Sequence, residues 1–400
     1  MTYDFTTKIN RMGTGSLKWE AMLASNPNVD AGIVPLSVAD MEFKMPPELT
    51  EGLKRYLDDA VLGYTGPTVA YKEAVQNWMK IRHNWRIESD WIVPAAGIVP
   101  ALFNAVRAFT EPGDGIILLT PVYYPFFRAV KRQGRNAALC TLCEQNGRYT
   151  IDFEALERLA KDPRNKAVMF CSPHNPVGRV WTKVELQKVK EILLAHNLLL
   201  FSDEIHFDII MPGYEHTVFQ SLDTELADRT ITFTAPSKTF NIAGLGISNI
   251  IITNEKIRKR FIELQEIGAG TLFTALSYKA CEICYTQCNA WLEECLTVID
   301  TNQRMVQRFF EMHHPEIKAP LIEGTYLQWL DFRALELEYK ILERFMTRTA
   351  QVFFDEGYIF GEEGKGFERM NLAAPTAVIG ETLDRLDSAL RELKANRKLS

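Results

Sequence analysis

The sequence Leu198-Leu-Leu-Phe201 is a short apolar run that leads directly into Ser202-Asp-Glu-Ile-His-Phe-Asp208. An almost entirely apolar run of this length is typical of a strand buried on both faces of a parallel sheet. The preceding segment, Lys183 to His196, is amphipathic, and it opens with Thr182 and Glu185 at the spacing of a helix capping box. The region therefore predicts a helix followed by a buried strand.

Four more apolar runs of the same kind alternate with amphipathic segments through the middle of the chain. This alternation predicts an α/β fold with a mostly parallel sheet, since parallel strands need long crossover connections that are usually helical. The four runs are Gly115–Thr120, Ala167–Cys171, Thr230–Thr234 and Asn249–Thr253.

The C-terminal third of the chain has a different pattern. Long amphipathic stretches at Tyr278–Phe310 and Tyr339–Glu356 lead to a final helix near Gly380–Lys394. Two short strand candidates, Thr325–Leu330 and Glu368–Leu372, lie among them. This part of the chain predicts an α+β unit rather than a continuation of the parallel sheet.

The chain has 400 residues, a length that allows two or three domains at roughly 150 residues each. We predict a large α/β domain over residues 45–285. A smaller α+β domain combines residues 286–400 with an N-terminal arm, residues 1–44.

The composition excludes several classes of protein. Hydrophobic residues make up 46% of the chain and charged residues 24%, as in ordinary globular proteins. The net charge of -6 has the wrong sign for a protein whose main partner is nucleic acid. Asp4 and Lys8 lie where a secretory signal needs an apolar stretch, and no apolar run approaches the length of a membrane span. We expect a cytoplasmic protein that binds neither nucleic acid nor membrane.

Seven cysteines in a chain of this size suit a reducing compartment better than a disulfide scaffold. The cysteines at positions 281, 284, 288 and 295 fall on one helical face together with Leu292 and Ile299, which is the pattern of a buried stripe. We therefore expect these cysteines to pack in the core, and we predict no metal site.

Polar side chains follow several of the predicted strands. Asn175 lies in the segment after one strand, and Asp203, Lys238 and Tyr123 follow three others. Ligands of open parallel sheets bind beyond the carboxyl ends of the strands, so we expect these side chains to meet at one edge of the sheet.

An amide, a carboxylate, a lysine and an aromatic ring are the groups that an enzyme dependent on pyridoxal phosphate (PLP) requires. Lys238 supplies the amine for a Schiff base, and a partly desolvated site would lower its pKa and keep it nucleophilic. Asp203 supplies the acid at the pyridine nitrogen, Asn175 donates to the ring hydroxyl, and Tyr123 stacks on the ring. The sequence therefore predicts a PLP site.

A phosphate-binding element is predicted at the start of a helix. The segment Ala95-Ala-Gly-Ile-Val99 places Gly97 and Ile98 where a helix N-terminus offers free backbone N–H groups. Gly97 permits a close approach of the phosphate.

Six segments resemble the signatures of one enzyme family: Val38-Ala-Asp-Met-Glu-Phe43, Gly63-Tyr-Thr-Gly-Pro67, Thr120-Pro-Val-Tyr-Tyr-Pro-Phe126, Ser172-Pro-His-Asn-Pro-Val-Gly-Arg-Val-Trp181, Ser202-Asp-Glu-Ile-His-Phe-Asp208 and Pro236-Ser-Lys-Thr-Phe-Asn-Ile-Ala-Gly244. Over nearly its whole length the chain resembles the fold-type I PLP enzymes, the aspartate aminotransferase superfamily. Within that superfamily it is similar to the carbon–sulfur β-lyases, also called cystathionine β-lyases.

The resemblance implies roles that spacing alone does not assign. Tyr64 would reach into the neighbouring subunit's site and touch the phosphate and substrate, which implies a homodimer with shared active sites. Arg369 would bind the α-carboxylate of an amino acid substrate, a bidentate task suited to its planar guanidinium. Tyr124 would assist proton transfer near Lys238, and Asn175 would also contact the substrate.

Three further positions gain roles in the same way, and two depart from the superfamily pattern. His206 lies where aminotransferases of the superfamily usually carry a tyrosine to the ring hydroxyl, Ser237 would touch the phosphate, and Ala39 would line the substrate site. Ala235 stands where many members have a phosphate-binding serine, and Gly246 where aminotransferases often have a phosphate-binding arginine.

The reaction that the resemblance implies is α,β-elimination from an L-amino acid with sulfur at Cβ, such as cysteine or cystathionine. The products would be pyruvate, ammonia and sulfide or a thiol, with Lys238 removing the Cα proton. An aminotransferase uses the same cofactor-binding groups and is the alternative. A regulatory protein that uses the fold as a binding surface is a third hypothesis, and the preferred sulfur amino acid stays open.

Overall fold

A mostly parallel sheet forms the centre of the molecule, as the apolar runs predict. The computed structural model describes residues 2–269 and 274–399. The strands in this part of the chain are β1 (Ile92–Ala95), β2 (Gly115–Thr120), β3 (Asn136–Thr141), β4 (Cys143–Gln145), β5 (Arg148–Thr150), β6 (Asn165–Cys171), β7 (Leu199–Asp203), β8 (Thr230–Thr234), β9 (Ser248–Ile251), β10 (Leu327–Asp331), β11 (Asp355–Glu356) and β12 (Phe367–Asn371).

The seven-stranded sheet has the order β1-β9-β8-β7-β6-β2-β3. The neighbours from β8 to β3 are parallel, whereas β9 pairs antiparallel with both β8 and β1. The prediction of a mostly parallel sheet is confirmed. The strand at Asn249–Thr253 is the exception in direction, which an apolar run does not reveal.

Helices cover the sheet and build the rest of the molecule. Their ranges are α1 (Leu17–Ser25), α2 (Pro47–Asp59), α3 (Val69–His83), α4 (Ile98–Phe109), α5 (Pro125–Lys131), α6 (Phe153–Ala160), α7 (Lys183–Ala195), α8 (Thr224–Ala227), α9 (Pro236–Thr239), α10 (Glu255–Ala269), α11 (Ala275–Gln287), α12 (Asn289–His313), α13 (Tyr339–Arg344) and α14 (Thr376–Leu399).

The central strands are apolar throughout because both of their faces are buried. In β2, Ile116 and Leu118 pack into one hydrophobic cluster, while Ile117 and Leu119 pack into another on the opposite face. Side chains of a strand alternate between its two faces, so a strand that lies between two clusters needs apolar residues at every position.

Helix α7 begins with the predicted capping box. The hydroxyl of Thr182 accepts a hydrogen bond from the backbone N–H of Glu185, and the Glu185 carboxylate accepts one from the N–H of Thr182 at 2.8 Å. These bonds satisfy N–H groups that have no partner within the helix, and so they define where α7 starts.

The C-terminal part contains a three-stranded antiparallel sheet of order β10-β12-β11. The predicted stretch Tyr278–Phe310 forms two helices, α11 and α12, because the helical conformation is interrupted at Cys288. The stripe of buried side chains continues from α11 into α12. The stretch Tyr339–Glu356 is helical only as far as Ala350. Gln351 then adopts a left-handed conformation (φ +49°), which ends the helix before the buried run that leads to β11.

The seven-stranded sheet lies within residues 92–251 and the three-stranded sheet within residues 327–371. One hydrophobic cluster includes Phe5, Tyr71 and Leu390, and so joins side chains from both predicted domains. The boundaries at residues 45 and 285 therefore stay a prediction.

The four cysteines of the predicted stripe are buried free thiols, which confirms that they pack in the core. Among residues 2–269 and 274–399, no group of His, Cys, Asp or Glu side chains is arranged to hold a metal ion. No helix in that same part of the chain is both long and apolar enough to cross a membrane.

Candidate active site

A cavity of about 200 Å³ lies beyond the carboxyl ends of the central strands. Cys171 ends β6 and Asp203 ends β7, Lys238 follows β8, and all three line the cavity. Nine of the twelve predicted site residues surround it: Ala39, Gly97, Ile98, Tyr123, Asn175, Asp203, His206, Ser237 and Lys238. The structure thus brings most of the predicted site together.

Lys238 lies in α9, the short helical turn that follows β8. Its amine donates a hydrogen bond to the backbone carbonyl oxygen of Ala39 at 2.5 Å. The surrounding protein removes the amine from bulk water, and this desolvation lowers the pKa of Lys238 from 10.5 to about 8. About a tenth of the amine is therefore uncharged at pH 7, far more than for an ordinary lysine, and the uncharged form is the one that a nucleophile or a general base requires.

Asp203 is a buried carboxylate, with 2% of the residue exposed. One carboxylate oxygen accepts a hydrogen bond from the N–H of Ile205 at 3.2 Å. Burial raises the pKa of Asp203 from 3.8 to about 7, and the positive charge of Lys238 opposes that rise only in part. A cation held in the cavity would stabilise the ionised form of this carboxylate.

Asn175 links the cavity to Arg369. An Arg369 N–H donates to the Asn175 side-chain oxygen at 2.8 Å, and a second donates to Asp355 at 2.5 Å. Because Arg369 takes the oxygen of Asn175, the amide nitrogen is the atom left to donate towards the cavity. The guanidinium also packs on the Phe360 ring, with its carbon 4.7 Å from the ring centroid.

His206 and Tyr123 line the cavity, whereas Tyr124 lies beside it. Burial lowers the pKa of His206 well below its ordinary value, so the ring is neutral, and its Nδ1 has no hydrogen-bond partner among the described residues. Burial raises the pKa of Tyr123. The ring of Tyr124 is 5.4 Å from that of Tyr123, at the position that precedes α5.

The predicted phosphate element is the start of α4. Gly97 precedes the helix with φ +125°, a backbone conformation that residues with a side chain rarely adopt, and Ile98 is the first helical residue. The first N–H groups of a helix have no partner within it and attract anions. Ser237 and Gly246 line the same cavity.

Tyr64 lies away from the cavity of its own chain. Its side chain is 96% exposed and borders a separate surface groove with Pro67 and Tyr278. The prediction places Tyr64 in the site of a second subunit, and this position does not test it.

Three residues of the site region have no role assigned from the sequence. Tyr326 donates its hydroxyl to the Ala39 oxygen at 2.9 Å, and Asp355 binds Arg369. Asp208 accepts a hydrogen bond from Thr239, the neighbour of Lys238, at 2.7 Å. Asp208 ends one of the quoted motifs, whereas Tyr326 and Asp355 lie far from any motif and carry no local signal.

The residues of the cavity fit PLP. His206 lines the cavity, and its Nδ1 is a buried polar atom without a partner in the described part of the chain, so a polar ligand would satisfy a group that otherwise costs free energy. Arg369 does not line the cavity but binds Asn175, which does, and its Nε is likewise buried without a partner among the described residues. The Asp203 carboxylate suits a protonated ring nitrogen, and the Lys238 amine suits an aldehyde. The start of α4 suits a phosphate.

The Lys238 amine can attack an aldehyde, and it shares its cavity at the edge of a parallel sheet with the buried acid Asp203. These features define the class: the protein is a PLP-dependent enzyme of fold type I. The chain belongs to the family described as aminotransferase class I and II, whose model matches residues 31–386.

The comparisons with individual proteins are more specific. The chain is 40% identical over 388 residues to the cystathionine beta-lyase PatB of Bacillus subtilis (strain 168), covering 97% of this chain and 100% of PatB. It is similar to the crystal structure of cystalysin from Treponema denticola, which contains PLP. The TM-score is 0.98 and the identity 66%, and the match covers 98% of this chain and 100% of cystalysin. A PLP-bound C-S lyase from Staphylococcus hominis matches with a TM-score of 0.90 at 29% identity, over 98% of both chains.

Proposed function

We propose that this protein is a PLP-dependent carbon–sulfur β-lyase that carries out α,β-elimination on L-cysteine, L-cystathionine or related S-substituted cysteines. The products are pyruvate, ammonia and sulfide or a thiol. The observation that carries the proposal is the Lys238 amine, enclosed in one small cavity with Asp203 and Asn175. The names of PatB and of the S. hominis C-S lyase favour a lyase over an aminotransferase.

Lys238 acts as the general base. Bound PLP would supply an aldehyde for the substrate amine and an electron-poor ring that stabilises negative charge at Cα. The Lys238 amine takes the Cα proton, a Cα–Cβ double bond forms, and the Cβ–S bond breaks with its electron pair leaving on sulfur. Protonated Lys238 can return its proton to that sulfur. One water molecule hydrolyses the released enamine to pyruvate and ammonia, which completes the balance.

Arg369 binds the substrate carboxylate. Its guanidinium is held by Asn175 on one side and Asp355 on the other, and its Nε has no partner among the described residues. A carboxylate at Nε would satisfy that buried donor. Binding at this point would hold the Cα–H bond in the orientation from which Lys238 removes the proton.

Replacing Arg369 by lysine is expected to raise the KM for L-cystathionine by about 10–100-fold, because an ammonium loses the bidentate geometry and the hydrogen bond to Asn175. The measurement is the steady-state rate of pyruvate release over a range of substrate concentrations. Arg333→Lys, at an exposed arginine paired with Asp331, is the matched control and should leave KM unchanged. A KM for Arg369→Lys equal to that of the control would remove Arg369 from carboxylate binding.

We propose that the protein is a homodimer in which Tyr64 contributes to the neighbouring active site. Several apolar side chains around Tyr64 are exposed in the single chain: Val61 is 91% exposed, Leu62 60% and Val69 74%. An exposed apolar patch of this kind favours association with another protein surface, and a second copy is the partner that the shared site requires.

Hybrid dimers provide a direct test of the shared site. Tyr64→Ala and Lys238→Ala are each expected to be nearly inactive as pure dimers. After random exchange of subunits at equal concentrations, half of the dimers carry both variants, and each of these has one intact site. Pyruvate release should therefore recover to about a quarter of the wild-type rate. No recovery after exchange confirmed by mass spectrometry would place Tyr64 in the site of its own chain, and full activity of the pure Tyr64→Ala dimer would place it outside both sites.

We also propose a cytoplasmic location. All seven cysteines lie in the described part of the chain and are free thiols, and six of them are buried. Free thiols persist in reducing compartments, which supports this location.

The function is tested by adding L-cystathionine or L-cysteine to the purified holoenzyme without a keto acid. Pyruvate formed over many turnovers supports the β-lyase. One turnover that stops until a keto acid is added would make the protein an aminotransferase, the second candidate that the family description favours. No product under either condition would favour the regulatory hypothesis.

A further inference from the structure

Val38 has a backbone conformation that is unusual for its residue type. Its φ angle is +51°, in the left-handed region, where a β-branched side chain is strained. Such conformations persist only where the surrounding structure holds them, and they concentrate at functional sites. Residues 38–40 are called here the 38–40 turn.

Hydrogen bonds from distant parts of the chain hold the 38–40 turn. The side-chain amide of Asn371 donates to the carbonyl oxygens of Val38 and Asp40, at 2.8 and 2.7 Å. The buried Lys18 amine donates to the Asp40 carbonyl oxygen at 2.9 Å and pairs with the Asp40 carboxylate at 2.8 Å. The turn is therefore fixed from both sides.

Two residues of this turn are connected by hydrogen bonds to the two groups that would act on the substrate, Val38 through Asp355 and Ala39 directly. The N–H of Val38 donates to Asp355 at 2.9 Å, and the carboxylate oxygen that accepts it also accepts from Arg369 at 2.5 Å. The carbonyl oxygen of Ala39 accepts from Lys238 at 2.5 Å. One strained turn thus lies between the guanidinium and the amine.

Tyr326 also contacts the middle residue of the turn, Ala39. Its hydroxyl donates to the same Ala39 oxygen at 2.9 Å, and the residue is fully buried. Arg369 is 2% exposed and Asp355 9% exposed. Water therefore has little access to these side chains and cannot readily replace a hydrogen bond that is removed.

We propose that the 38–40 turn is a positioning element that holds the Arg369 guanidinium and the Lys238 amine at a fixed spacing, with Asp355 and Tyr326 as its positioning residues. The inference rests on the proposed function for the roles of Arg369 and Lys238. A substrate carries its carboxylate and its reacting hydrogen on the same carbon, so the groups that bind one and remove the other must keep a constant separation.

The arginine end is tested with two variants of Asp355. Both Asp355→Ala and Asp355→Asn remove the negative charge, but the asparagine oxygen still accepts the hydrogen bonds of Val38 and Arg369. Glycine is the probe because it has the amine and carboxylate of the substrates without a leaving group, and its binding to the holoenzyme is followed by absorbance. Asp355→Ala is expected to weaken glycine binding about tenfold or more, and Asp355→Asn to restore it to within about threefold of wild type.

The lysine end is tested with Tyr326→Phe. The pH titration of the holoenzyme absorbance reports the protonation of the linkage between Lys238 and the cofactor. Tyr326→Phe is expected to move the midpoint of that titration and to lower kcat more than it changes KM. Tyr149→Phe is the matched control, because Tyr149 is a buried tyrosine whose hydroxyl accepts from Trp329 rather than facing Ala39. The control should leave the midpoint unchanged.

Coupling through the turn is tested by measuring how a substitution near Arg369 affects Lys238, and how a substitution near Lys238 affects substrate-analogue binding. Asp355→Ala should move the titration midpoint relative to Asp355→Asn, and Tyr326→Phe should weaken glycine binding by about threefold. Equal glycine affinities for the two Asp355 variants, or effects confined to the substituted end, would overturn the inference.

The failure of this inference can be distinguished from failure of the proposed function. Loss of the glycine and titration effects while wild-type protein releases pyruvate would overturn the positioning role alone. The expected effects in a protein that releases no pyruvate would keep the positioning element and overturn the lyase.

Discussion

Lys238→Ala is expected to lower the rate of pyruvate release from L-cystathionine by at least about 10³-fold, since it removes both the proposed general base and the amine proposed to hold the cofactor. The measurement is steady-state pyruvate formation with saturating PLP, and the absorbance of the lysine-bound cofactor should be lost in parallel. Lys190→Ala, at a lysine paired with Asp223, should retain full activity. Undiminished turnover in Lys238→Ala would remove Lys238 from the mechanism.

The free energy of unfolding of the same variant should depend on pH differently from that of wild type. This measurement also shows whether the variant folds. In the cofactor-free protein, the pKa of Lys238 is lowered from 10.5 to about 8, so the folded state binds fewer protons than the unfolded state between these values. Burial of the amine therefore costs stability fully below pH 8, and that cost disappears as the pH approaches 10.5. The free energy of unfolding of Lys238→Ala relative to wild type should be most favourable below pH 8 and should decline at higher pH.

Asp203→Asn is expected to lower kcat by about 10²–10³-fold, because a neutral amide does not hold the ring nitrogen of the cofactor in its protonated form. The side chain keeps nearly the same size, so the cavity should keep its shape. The measurement is kcat for L-cystathionine at saturating PLP, together with the cofactor content of the protein. Activity within about twofold of wild type at full cofactor content would show that the Asp203 charge does not contribute to the reaction.

The stability of Asp203→Asn provides a test of the Asp203 pKa that does not depend on activity. Burial raises the pKa of Asp203 from 3.8 to about 7, so the folded state holds the proton of this carboxyl more tightly than the unfolded state does. The contribution of Asp203 to the stability of the folded protein is therefore greatest below pH 3.8 and is lost as the pH rises through 7. In the cofactor-free protein, Asp203→Asn should therefore gain stability relative to wild type as the pH rises from 4, with the full gain above pH 7. Chemical denaturation at several pH values measures this gain.

Most of the central sheet and the chemical core of the cavity were predictable because their signals are local. Gly115–Thr120 and Thr230–Thr234 are strands with the predicted ends. Both faces of these strands are buried at every position, so the whole length of each strand is visible in the sequence as a run of residues without charge. Asn175, Asp203 and Lys238 follow strands of the same parallel set, and so strand order alone brings them to one cavity.

The features that sequence patterns missed depend on contacts between distant residues. The reversed direction of β9 is set by its neighbours, β1 and β8, and not by its own apolar residues. The left-handed Val38 depends on partners more than 300 residues away, Asp355 and Asn371. The local pattern of one sequence carries no signal for pairs at such separations.

Strand β1 has a consequence for how copies of the protein can associate. It forms one border of the seven-stranded sheet, and a border strand ordinarily offers its backbone to any extended segment that approaches. Pro94 has no amide hydrogen to donate, and its carbonyl oxygen already accepts from Gln265 at 3.0 Å. We therefore expect this border to resist strand addition and fibrillar aggregation. If the protein is a dimer as proposed, we expect a second copy that meets this border to dock through side chains rather than by extending the sheet from β1.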